Sequence, residues 1–154
     1  MQQMSSTWSS IRDLRPGMKG VNVQFIVLEK GHVTTTKDNN TLKQYLIADM
    51  TGAIYLSIWD DTGAPLIPSD IVELRGGFCA LFKNALVLYM GRFGSLKKIG
   101  SFQMLFSEMP NMSKVDWVPD PANTDQLVPA FMARSSHRQY HHKQGLSHYN
   151  TSRK

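Results

Sequence analysis

A chain of 154 residues has room for one domain with a substantial core and too little for two of ordinary size, and its formal charge of +5 favours polyanionic partners without specifying one. A single cysteine, Cys79, excludes an intramolecular disulfide and with it a secreted disulfide scaffold. The opening MQQMSSTWSS has neither a basic start nor an apolar run, and no stretch of about 18 apolar residues occurs anywhere, so the sequence predicts a soluble protein of a reducing, intracellular compartment.

From Val21 the run VNVQFIVLEKGHVTTT is rich in β-branched residues and lacks helical spacing, which predicts a long strand crossing Gly31 at a bend or bulge. Lys37 to Asn40 reads as a polar turn, Leu42 to Ala48 as the returning strand, and Asp49 to Gly52 as the next turn. In Ala53 to Trp59, Ile54, Leu56 and Ile58 share one face while Tyr55, Ser57 and Trp59 share the other. A strand that buries the first face presents Trp59 away from the core. The segment DDTGAPLIPSD, with its prolines and glycine, reads as a connection. Ile71 to Leu81 resumes strand character with a kink at Gly76-Gly77, Lys83-Asn84 closes a hairpin, and Ala85 to Met90 forms its second arm. Gly91 to Gly100 is expected to be a basic, glycine-bearing loop before the apolar run Phe102 to Phe106.

Short strands, tight turns and no long helix predict an all-β fold, and a five-stranded Greek-key barrel of the oligonucleotide-binding (OB) type suits the long bent first strand and the final hairpin. The expected organisation is a flexible N-terminus over 1–10, the barrel over 11–110, and a mostly disordered, basic, histidine-containing tail over 111–154. Charge follows the same division, with 11 Lys/Arg against 9 Asp/Glu up to Pro110 and six against three beyond it.

Trp59, Phe78, Phe82 and Tyr89 fall on three consecutive strand-like runs interleaved with Lys83 and Arg92. Flat rings stack on unpaired bases while cations neutralise the phosphates between them, so the pattern points to single-stranded nucleic acid. Stacking does not distinguish DNA from RNA, and the same groove suits a peptide in a protein-interaction module. No enzyme is expected. Asp60-Asp61 point to opposite faces of an extended chain and read as turn capping rather than a metal-dependent nuclease. His137, His141, His142 and His148 lie in a segment with no cysteine nearby and predict no functional metal site. Cys79 lacks the context of a nucleophile, and GRFGSLKKIG does not match a phosphate-cradling loop, so neither cofactor nor catalytic centre is expected.

The runs RDLRPGMKGVNVQFIVLEKGHVTTTKD, SIWDD followed by PSDIVELRGGF, LFKNALVLYMGR and KIGSFQMLFSEMPN together resemble the SOSS-B family, the single-stranded-DNA-binding component of the SOSS (sensor of single-stranded DNA) complex, collinearly over Ile11 to Ser113. The resemblance implies an OB fold that holds single-stranded DNA in the nucleus during the response to double-strand breaks, within a complex assembled on Integrator complex subunit 3. It implies stacking by Trp59, Phe78, Phe82 and Tyr89, with phenylalanine at 78 where tyrosine is usual. Basic contacts would match Lys19, Lys37, Lys83, Arg92 and Lys98, and the partner-binding region would include Phe102. Departures are Ser101 where an acidic residue is typical, Phe93 in place of glycine, and Met50 in place of lysine.

Overall fold

The structure, a computed structural model, describes residues 8–59 and 65–133, which divide into a unit ending at Lys114 and a second beginning at Val115. The first unit is a closed barrel of strands β1 (Lys19–Thr35), β2 (Thr41–Asp49), β3 (Gly52–Trp59), β4 (Asp70–Phe82) and β5 (Ala85–Ser101) in the order β1-β2-β3-β5-β4. All neighbours are antiparallel except β3 and β5, and β4 returns to β1 to close the cylinder. This is the connectivity of the OB barrel.

Closure follows from period-two burial. Val21, Val23 and Phe25 of β1, Tyr45 and Ile47 of β2, Ile54, Leu56 and Ile58 of β3, Val72 and Leu74 of β4, and Leu86 and Leu88 of β5 all face inward. Each such side chain contributes about 1.5–3 kcal/mol on burial. The lower end is sealed by a short 3-10 helix, Ile11–Asp13, whose Ile11 is fully buried together with Leu14. Asp49 pins that seal: Oδ2 accepts the Ile11 amide at 2.9 Å, while Oδ1 accepts the Thr51 amide at 2.8 Å and the Thr51 hydroxyl at 2.6 Å.

Four expectations change. Residues 8–10 are tied to the barrel rather than loose, since the Ser9 amide donates to the Asn22 carbonyl at 2.8 Å and the Arg75 guanidinium sits 4.5 Å from the Trp8 ring centroid. Residues 1–7 lie outside the described residues. Gly91 to Gly100 is not a loop: β5 runs on to Ser101, pairing Leu96 with Leu74 and Lys98 with Val72. Glycine lowered the apparent strand character, yet here it serves a bulge within a continuing ladder. The barrel unit also does not end at Pro110, because Met112 is fully buried and the Ser113 hydroxyl donates to the Leu86 carbonyl while accepting the Tyr55 amide.

In the second unit, β6 (Trp117–Asp120) and β7 (Asn123–Pro129) form an antiparallel hairpin where a disordered tail was expected. Its turn is set by Asp120, whose Oδ1 accepts the Ala122 amide at 3.0 Å, the local signal that a composition-based reading overlooks. The disorder expected over 134–154, with its histidines, falls outside the described residues.

The bend in the β4-β5 ribbon is glycine-dependent. Gly76 has φ of +76°, and a Cβ on Gly94 would lie 2.7 Å from the Arg75 carbonyl oxygen and 3.0 Å from that of Gly76, both backbone atoms with no freedom to yield. Gly94→Ala is expected to destabilise the barrel by about 1–3 kcal/mol, read in thermal unfolding as a Tm lowered by roughly 4–8 °C per kcal/mol.

Candidate nucleic-acid interface

The inward face of each strand is committed to the core, so the outward face decides what the barrel presents. Register assembles that face. Lys19 of β1 is opposite Phe78 of β4, Phe78 opposite Tyr89 of β5, Tyr89 beside Ser57 of β3, and Ser57 opposite Gln44 of β2. Residues far apart in sequence thus form one row across the strands.

Within that row the Phe78 and Tyr89 rings stack, with centroids 5.1 Å apart and planes 16° from parallel. Each covers one face of the other, so the pair is a single two-ring platform rather than two independent stations. Partial burial pushes the Tyr89 hydroxyl above its ordinary pKa. Trp59 ends β3 opposite Leu42 and is 39% exposed, in phase with Ser57 and out of phase with the buried Ile58. Phe82 ends β4, is 56% exposed, and carries the Lys83 ammonium 5.4 Å from its centroid. Lys83 and Asn84 both have positive φ, 52° and 67°, the pairing that a tight type I′ hairpin needs.

Between the Tyr89 and Phe82 rings lies a cleft of about 240 Å³. Its walls are Tyr89 and Val87 of β5, Phe82 of β4 and the flaring end of β1 at His32 and Thr34, and its floor is Leu42, Gln44 and Ser57. Sequence reasoning passed over His32, Thr34, Gln44 and Ser57. The phase that turned Trp59 outward applied equally to Ser57, but pairing Ser57 with Gln44 requires the β2-β3 register.

The cations are distributed less evenly. Lys37 occupies the β1-β2 turn, just beyond the rung that holds Leu42 opposite Trp59. Arg92 belongs to the β5 bulge, where a Cβ on its neighbour Gly91 would lie 3.9 Å from Phe78 Cδ1, and the adjacent Phe93 is 94% exposed. Lys98 is not part of this group. It lies opposite Val72 near the start of β4, the far end of that strand from Phe82, and its Nζ is 3.2 Å from Asp70 Oδ2. Phe102 lies beyond the same end of β5, 75% exposed with φ of +67°, in an exposed apolar strip with Ile99, Leu105 and Phe106.

Among the described residues no three His, Cys, Asp or Glu side chains converge on a metal geometry. Cys79 is buried, and burial pushes its thiol up to about 12, leaving it protonated and unreactive near neutral pH. Asp60, Asp61, His137, His141, His142 and His148 lie outside the described residues.

No protein-family model matches the chain. Over 84 residues it is 25% identical to the single-stranded DNA binding protein Ssb of Saccharolobus solfataricus, covering 53% of this chain and 57% of that protein, so it spans little more than half of that curated relative. A hypothetical protein of Arabidopsis thaliana superposes with a TM-score of 0.59 at 21% identity, over 71% of this chain and 84% of the other. The OB domain of a Thermoplasma acidophilum protein gives a TM-score of 0.53 at 22% identity, over 64% and 92%. A replication factor A related protein of Methanobacterium thermoautotrophicum gives 0.51 at 16%, over 60% and 90%. These structural likenesses establish the OB fold.

Because Phe78 and Tyr89 are stacked on each other, their truncations are expected to be coupled. A double-mutant cycle of Phe78→Ala and Tyr89→Ala in thermal unfolding should return an interaction of about 0.5–1.5 kcal/mol. A coupling of zero would mean that the rings are not stacked in solution.

Proposed function

We propose that this chain is a non-catalytic binder of single-stranded nucleic acid, and of DNA in particular. The observation that carries the reading is the set of outward rings, Trp59, the Phe78-Tyr89 pair and Phe82, the last two elements meeting at a cleft, with Lys19 opposite Phe78, Lys83 over the Phe82 ring, Lys37 in the β1-β2 turn and Arg92 on β5. The likeness to a single-stranded DNA binding protein supports the choice of ligand.

Bases stack on three stations, each worth about 1–3 kcal/mol, and the cations follow the backbone between them. A barrel presenting rings on its surface forgoes their burial; a ligand that covers them recovers that stabilisation on binding. Four phosphate contacts give an expected salt slope of roughly −3 in log K against log salt, using about −0.7 per contact for a single strand. Lys98, held by Asp70, contributes little to that slope.

The finer reading is a role like that of the SOSS-B family: nuclear, acting in double-strand break repair, with an Integrator complex subunit 3-like scaffold docking on Phe102. It is supported by the sequence resemblance and by the exposure of Phe102 away from the aromatic row. Loss of scaffold capture in Phe102→Ala, with oligonucleotide binding retained, would separate the two surfaces.

Fluorescence titration of the purified chain with poly-dT, its duplex and poly-U tests the main reading. Salt-sensitive binding that is tightest for poly-dT is expected. Trp59→Ala should weaken it by about 1–3 kcal/mol while changing Tm little; an equal loss of stability would make Trp59 a core residue. Tighter binding of poly-U would assign RNA, and failure to bind any strand would leave a protein-interaction barrel.

A further inference from the structure

We propose that the cleft between Tyr89 and Phe82 takes one unpaired nucleobase whose hydrogen-bonding edge is read by Gln44 and Ser57, so that the protein discriminates among bases. The inference rests on the proposed function and deepens it. Rings alone accept every base, because every base has a π-face. A pocket that also meets the base edge does not.

The cleft is built for such a contact. Its 240 Å³ is the space of about eight liquid waters at ~30 Å³ each, room for a heterocycle. Leu42 and Val87 line it with apolar surface, and the two rings stand at its sides. The polar groups at its floor are placed by register, since Ser57 and Gln44 are directly opposed on β3 and β2, and Ser57 also neighbours Tyr89 of the stacking platform. A base leaning against Tyr89 therefore turns its edge toward Ser57 and Gln44.

Ser57 is 5% exposed, and it lies on the lining of the cleft. The other buried serine of the barrel unit, Ser113, shows what a structural hydroxyl does here: it donates to the Leu86 carbonyl and accepts the Tyr55 amide. Ser57 instead lines the cleft, where a base edge can take the place of water. Gln44 lines the same cleft. Its Oε1 lies 3.2 Å from the position a Cβ would take at residue 31, so the absence of a side chain at Gly31 gives it room to lie against β1. A carboxamide offers a donor and an acceptor side by side, the pair needed to read adjacent groups on a base edge.

The test uses the full chain and oligomers of dT, dC and dA of equal length at one salt concentration. Wild type is expected to separate its tightest from its weakest strand by about tenfold or more, in the range of one bidentate base contact. Gln44→Leu, which keeps the volume and removes the amide, should collapse that ratio severalfold, and Ser57→Ala should lower it in the same direction. Trp59→Ala should weaken all three strands by a similar factor and leave the ratio standing. Binding with a ratio that neither Gln44→Leu nor Ser57→Ala moves overturns base reading while leaving single-strand binding intact. Absence of binding to all three strands overturns both.

Discussion

The close approach of β4 and β5 at their glycines is the constraint on which the rest of the barrel depends. Gly76 bends β4 at positive φ, and Gly94 passes so near the Arg75 and Gly76 carbonyls that no side chain fits between them. Above the bend β5 pairs with β3, and β4 presents Phe78 between Tyr89 and Lys19; below it the same two strands continue together, and β4 lies against β1 on both sides of the bend. One pinch therefore closes the cylinder and sets the angle at which the ring pair stands. Side chains of any size there would force a choice between closure and the platform.

Much of this was legible because strand phase is a strict rule. Once Ile54, Leu56 and Ile58 are recognised as a core face, Trp59 must turn outward, and the tight pair Lys83-Asn84 must join two strands. The polar floor of the cleft was not legible in the same way. Gln44 and Ser57 gain meaning only from being opposed, and opposition is a property of register between strands rather than of either strand. The second half of β5 was misread for a related reason: glycines and lysines depress strand propensity, but the ladder to β4 overrides it. The β6-β7 hairpin escaped notice because its signal is one Asp side chain turning the backbone, which average composition dilutes.

Charge behaves differently from pattern. A net charge of +5 says only that the molecule is attracted to polyanions; where the attraction acts depends on which cations have already been matched by carboxylates. Lys98 faces Asp70 and spends its field locally, whereas Lys83 sits over the Phe82 ring and leaves its charge available at the mouth of the cleft. Two lysines of the same formal charge thus differ in what they contribute at long range.

The hairpin between β4 and β5 turns in only the two residues Lys83 and Asn84. The wall bearing Phe82 is consequently a ladder of backbone hydrogen bonds up to its tip, not a loop that must be ordered when a ligand arrives. Little of the conformational entropy lost on association would then come from the protein, and most from the incoming strand. On the proposed function, such a surface would capture by encounter and settling of the ligand rather than by closing over it, which favours rapid exchange of one strand for the next.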